Sequence, residues 1–194
     1  MKQGFAERVA LLLVHGASAN GRDFYNKRTH LENALLLGHD VVAKMLVDHG
    51  AKSPALSAGE ELRVACLRGH EEQVRRLTTA TLEGRDDEAT LVVAAQQGNL
   101  RALRLCLDVL GASVDATNDK GLTALHAAAG NGQRLVVDEL LGRGASLTIR
   151  DPVHRGTPLD HARWAVRTWP TPERADVARA LEAASAATNT AADG

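Results

Sequence analysis

The chain reads as an all-α solenoid of stacked helix–turn–helix units, and three observations carry that reading. Glycines recur at matching places: Gly38, Gly69, Gly98 and Gly132 between the two helices of a pair, and Gly16-Ala17, Gly50-Ala51, Gly111-Ala112 and Gly144-Ala145 after the second. Their spacing is roughly 33 residues, a period typical of repeat arrays. Between the glycines, apolar residues fall at helical spacing, as Leu135, Val136, Leu140 and Leu141 do. None of these helices is long enough to persist alone in water, so each must bury its apolar stripe on a neighbour.

The fullest unit lies between Asp119 and Asp151. A turn rich in Gly and polar residues leads to Thr123, whose side-chain oxygen is placed to accept the N–H of His126 and cap a short helix. Gly132 breaks that helix and Gly144 ends the next. The segments Gly121-Leu122-Thr123-Ala124-Leu125-His126-Ala127-Ala128 and Gly156-Thr157-Pro158-Leu159-Asp160-His161-Ala162 resemble the Thr-Pro-Leu-His core of ankyrin repeats. The resemblance covers roughly residues 1–184. It implies a partial repeat at about 1–19 and repeats at about 20–52, 53–84, 85–117, 118–150 and 151–184.

Residues 1–19 mimic a secretory signal, with Lys2 and Arg8, an apolar run and Ala17-Ser18-Ala19. The run Val9–Val14 is too short for a signal core, and Glu7 interrupts its start. It aligns instead with Val41–Ala51 as the second helix of a unit. Met1–Gly4 then corresponds to Leu35–Gly38, the end of a first helix, so Val9, Leu12 and Leu13 are expected to lack half their cover. That face is a place for a partner or a second copy.

In the second unit Thr29 and Glu32 form a capping box, and His30 stands where the family usually has Pro. Phe24 and Tyr25 sit together in its polar turn; one ring folds back over the neighbouring turn, or both form an exposed recognition contact. The third unit keeps two helices around Gly69, with an irregular turn expected over 78–87. In the fourth, Asn99 caps the helix of Leu100, Leu103 and Leu107. The sixth unit has Thr157 as cap and Pro158 in the first helical position, then a long loop through Trp164 and Trp169-Pro170. Arg174, Asp176, Arg179 and Glu182 are expected to give its last helix a polar outer face, as a terminal repeat requires. Residues 185–194, rich in Ala, Thr and Asp, are expected to be a disordered tail.

Composition narrows the function. The 23 basic and 24 acidic residues are balanced and not gathered in a block, which argues against nucleic acid as partner. No apolar run approaches a membrane span. Cys66 and Cys106 occupy helical positions in different units and read as reduced, buried small hydrophobes, consistent with a cytoplasmic protein. The eight histidines include no metalloprotease motif, and several occupy equivalent repeat positions, which structure explains better than a site. His126 is expected to bond backbone between turns. The competing idea is an enzyme or metal site formed by His126, Asp151, His154 and His161.

The ankyrin resemblance implies a scaffold, without cofactor or catalysis, that binds another protein on its concave side through turn tips and first-helix positions. A monomer is expected, with the truncated first repeat as the route to self-association. Carried over by position, the partner-binding residues are Arg85, Asp86, Glu88, Gln96 and Gln97 in the fourth unit and Thr117, Asp119, Lys120, Leu122, Gly130 and Asn131 in the fifth. Leu36, Leu37, Leu67 and Arg68 are the corresponding positions earlier in the chain. The structural motif consists of Thr29, Glu32, Thr123, Leu125, His126, Thr157, Pro158 and Leu159. A structural fragment of a larger protein is the remaining reading.

Overall fold

The computed structural model describes residues 2–80 and 86–192. Among the described residues there are eleven α-helices and no sheet. Helix α1 (Lys2–Val14) comes first, then five pairs: α2 (His30–Leu36) with α3 (Asp40–Asp48), α4 (Ala58–Leu67) with α5 (Glu71–Ala80), and α6 (Asp87–Gln97) with α7 (Leu100–Asp108). The series ends with α8 (Ala124–Asn131) and α9 (Arg134–Gly142), then α10 (Pro158–Thr168) and α11 (Pro172–Ala192). First helices stack on first helices, most extensively α6 on α8 and α8 on α10.

Short-range chemistry fixes each start and stop. Thr29, Ser57, Thr123 and Thr157 each accept the N–H three residues on, and Glu32, Glu60, His126 and Asp160 return a bond to the cap backbone. Asn99 caps α7 through Ala102. Gly132 ends α8 at φ 71°, a left-handed conformation that lets its N–H reach the carbonyls of Ala128 and Ala129. At Gly98 the absence of a side chain matters twice, because a Cβ would also collide with Gln133. That glutamine donates to the Gln96 carbonyl (3.2 Å) and ties the end of α6 to the next unit.

The core is a strip in two lengths. The longer runs from Leu62 to Leu181 through the third to sixth units, with Leu91, Leu103, Leu125, Leu140 and Val177 wholly buried. The shorter holds Leu13, Leu31, Ala34, Val42 and Leu46. Polar contacts join the two: Arg28 pairs with Glu60, Arg68 Nε lies 2.9 Å from Asp40, and Arg63 Nε donates to the Leu36 carbonyl (2.8 Å). Further along, Glu139 receives Arg104 (2.6 Å) and Arg143 (2.7 Å), while Arg143 also reaches Asp108 (2.6 Å). These guanidinium bonds hold the Glu139 carboxyl down at about 2. Exposed pairs contribute little singly, but here they lock neighbouring units in register.

Several expectations are corrected. Gly4 lies inside α1 and not at a turn between two helices. Helix α10 continues through Trp164 to Thr168, which shortens the expected loop to Trp169–Thr171. The tail is helical through Ala192, because alanine is the strongest helix former and the segment contains no breaker. Arg174 does not contribute to the polar cap. It is 6% exposed, lies against Gly132, and donates to the Trp169 carbonyl (2.9 Å). Most of the turn expected to be irregular, 81–85, lies outside the described residues.

Candidate binding face

The turn entering each first helix forms a projecting finger. In the second unit Asp23 N–H donates to the Arg28 carbonyl (2.8 Å), and Lys27 N–H donates back to the Asp23 carbonyl (3.1 Å). Asp23 Oδ1 accepts from the N–H groups of Tyr25 (2.9 Å) and Asn26 (3.0 Å). Arg22 Nη1 closes the finger by donating to the Lys27 carbonyl (2.8 Å), and Lys27 takes a left-handed φ of 60°. The sixth unit repeats this arrangement. Asp151 Oδ1 accepts from Val153 (3.0 Å) and His154 (2.7 Å), Arg150 Nη1 donates to the Arg155 carbonyl (2.8 Å), and Arg155 has φ 54°. The shared signal was present as Arg-Asp-x-x-x-Lys/Arg at 22–27 and 150–155, and sequence reasoning missed it. The fifth finger differs: Asn118 Oδ1 accepts from Lys120 and Leu122 (both 3.0 Å), and Gly121 takes the left-handed position.

The residues proposed for binding separate into two groups. Glu88, Gln96, Thr117, Asp119, Lys120 and Asn131 are exposed on first helices or fingers, with Leu122 and Gly130 half-buried beside them. Others serve the fold: Asp86 caps α6 through Ala89 (3.2 Å) and pairs with Arg63, and Gln97 donates to the Leu37 carbonyl. Arg85 lies outside the described residues. Leu36 and Leu67, 7% and 4% exposed, belong to the interior, whereas Leu37 is 42% exposed. On α1 Leu12 is 61% exposed and Leu13 8%. They line an apolar groove of about 320 Å³ with Phe5, Val9 and Leu37, and Val9 is half-buried. Of the three residues expected to lack cover, Leu12 is exposed and Val9 half-buried, whereas Leu13 is buried in the shorter core. Phe24 and Tyr25, 78% and 91% exposed, fold back over nothing.

The histidine and acid cluster assembles in part: the His154 ring stays exposed, with Nδ1 3.6 Å from Asp151 Oδ1, while His126 and Asp151 are engaged. His126 is 1% exposed, with Nε2 3.1 Å from the Gly156 carbonyl and Nδ1 2.8 Å from Thr123 Oγ1. The carbonyl requires the proton on Nε2, which leaves Nδ1 to accept from the hydroxyl. Asp151 Oδ2 accepts from Gly156 N–H and His161 Nε2 (both 3.0 Å), so both carboxylate oxygens are occupied. The His126 and His161 rings meet edge to face at 5.0 Å. Among the described residues, no three His, Cys, Asp or Glu are placed to hold a metal.

Cys66 and Cys106 are free and wholly buried, with sulfurs 3.3 Å apart. The bond from Cys66, together with burial, pushes the Cys106 thiol up and keeps it protonated.

Burial lowers the affinity of His126 for a proton, and the Gly156 carbonyl only partly offsets this. A histidine depressed in the folded state contributes its full stability above its unfolded pKa, about 6.5, and loses it as pH falls toward the folded value. Urea midpoints at pH 7 and pH 5 are therefore expected to differ more for the native chain than for His126→Gln. Equal pH slopes would remove His126 from the explanation.

Comparison with known proteins agrees with this geometry. The family model for ankyrin repeats (3 copies) matches residues 62–151. The chain is 32% identical over 161 residues to a protein of Oryza sativa subsp. japonica named probable E3 ubiquitin-protein ligase XBOS32, covering 81% of this chain and 32% of that protein. It is also 32% identical over 161 residues to E3 ubiquitin-protein ligase XBAT32 of Arabidopsis thaliana, covering 81% of this chain and 31% of that protein. It therefore spans about a third of the length of these relatives. Among the described residues no helix is long and apolar enough to cross a membrane. Helix pairs stacked on capping boxes at Thr29, Ser57, Thr123 and Thr157, with the family's repeats matched over 62–151, make this chain an ankyrin-repeat protein.

Proposed function

We propose that the array is a protein-binding scaffold with no catalysis of its own, docking its partner on the first helices and fingers of the fourth and fifth units. One observation carries this reading. The side chains suited to chemistry (His126, Asp151, His161 and the two cysteines) are spent on the fold. By contrast, Glu88, Gln96, Asp119 and Lys120 are exposed, and none makes a side-chain hydrogen bond or ion pair among the described residues. Mixed acids, bases and amides suit a polar protein surface. The relatives' names describe ubiquitin-protein ligases; selecting a protein for modification is a task this kind of surface fits, and transfer chemistry belongs to those whole proteins.

Affinity capture followed by mass spectrometry, comparing the native chain with a Lys120→Glu/Asn131→Arg double variant, tests the reading. The variant is expected to keep the native unfolding midpoint, within about 0.5 kcal/mol for exposed substitutions, and to lose the captured protein. Identical capture by both would reject this face.

A further inference from the structure

We propose that the second-unit finger, Arg22–Arg28, is a preformed anchor for an acidic polypeptide segment carrying apolar side chains. This rests on the protein-binding reading and extends the docking surface beyond the fourth and fifth units. Phe24 and Tyr25 stand 78% and 91% exposed at its tip, crossed edge to face with ring centres 5.6 Å apart. Lys27 Nζ sits 4.5 Å from the centre of the Phe24 ring. Large aromatic rings held in water on a fixed turn are the usual make-up of an interface anchor, because little side-chain freedom remains to be lost on binding.

The sixth-unit finger shows that the turn itself does not need these rings. It makes the same bonds with Asp151 in place of Asp23 and Arg155 in place of Lys27, yet Pro152 and Val153 occupy the two ring positions. The aromatic pair is therefore an addition to a turn that forms without it. Charge sets the partner's chemistry. Arg22 and Lys27 flank the tip, while Arg28 is already paired with Glu60; the one carboxylate on the tip, Asp23, has its Oδ1 bonded to two backbone N–H groups. Cations beside exposed rings favour a segment that alternates carboxylates with apolar groups.

A random-peptide phage library panned on the immobilised full chain supplies the probe. Enriched peptides are expected to combine Asp or Glu with aromatic or branched apolar residues and to bind more weakly as salt rises. Replacing the tip by its sixth-unit counterpart, Phe24→Pro/Tyr25→Val, is expected to leave the circular dichroism melt unchanged and weaken these peptides by about tenfold or more. Lys27→Glu is expected to do the same. Peptides unaffected by both variants but lost with Lys120→Glu/Asn131→Arg would overturn the finger and leave the fourth- and fifth-unit face standing. Enriched peptides lacking acidic residues would overturn the stated partner chemistry. A library giving no enrichment over blank support would overturn the finger and the binding reading together.

Discussion

Leu125→Asp is expected to leave the chain without a cooperative unfolding transition. Leu125 is 0% exposed in α8, the helix that α6 and α10 both cover, so its side chain is part of two unit-to-unit interfaces. Removing a buried leucine costs about 2–5 kcal/mol. The new carboxylate has no cationic partner in that apolar strip and adds several more, or it takes up a proton at a comparable cost. The sum rivals the roughly 5–15 kcal/mol that holds a typical domain folded. Because each unit relies on its neighbours, the damage spreads along the array. Leu135→Asp is the control: Leu135 is 72% exposed on α9 of the same unit, and its replacement is expected to shift the urea midpoint by little. A sharp, native-like transition in Leu125→Asp would mean that the strip through Leu91, Leu125 and Leu140 is not the core.

The parts legible in the sequence were those governed by local rules. Thr29, Thr123, Asn99 and Thr157 cap as read, because a cap is decided within three residues of backbone. The two sets of glycines mark the turns because only left-handed backbone closes them there; Gly38 and Gly50, at φ 65° and 83°, represent the two sets. What escaped was contact between units. Asp86 and Gln97 occupy partner-binding positions of the family, yet Arg63 and the Leu37 carbonyl claim them, and no spacing along the chain announces that. Arg174 was misplaced for the same reason. A charged residue at a helix start reads as surface until Gly132 of the preceding unit offers a recess for its stem. The finger signature was readable but unrecognised, because Lys27 and Arg155 stand where the fifth unit uses Gly121.

Asp151→Ala is expected to have the second-largest effect, confined at first to the last unit. The residue is 2% exposed and its carboxylate accepts from three backbone N–H groups and the His161 ring. Burial alone raises the affinity of that carboxyl for a proton. The bonds from His154, His161, Gly156 and Val153 outweigh it and leave the group well below the usual carboxylate range. Alanine removes the acceptor and strands its donors, some at the edge of water, at a total of about 3 kcal/mol. The finger then loosens, and Gly156, whose carbonyl holds His126, loses its fixed position. A group depressed in the folded state adds stability that is complete above its unfolded pKa, about 3.9, and vanishes as pH falls through the folded value. The native chain should therefore lose stability below about pH 4 more steeply than the variant. Hydrogen exchange should show α10 and α11 opening first, while α6 and α8 keep their protection. Asp151→Asn separates the causes, since it retains an acceptor oxygen but not the charge, and should fall between the two. If alanine left exchange in α10 unchanged, the bonds around Asp151 would not be what holds the terminal unit closed.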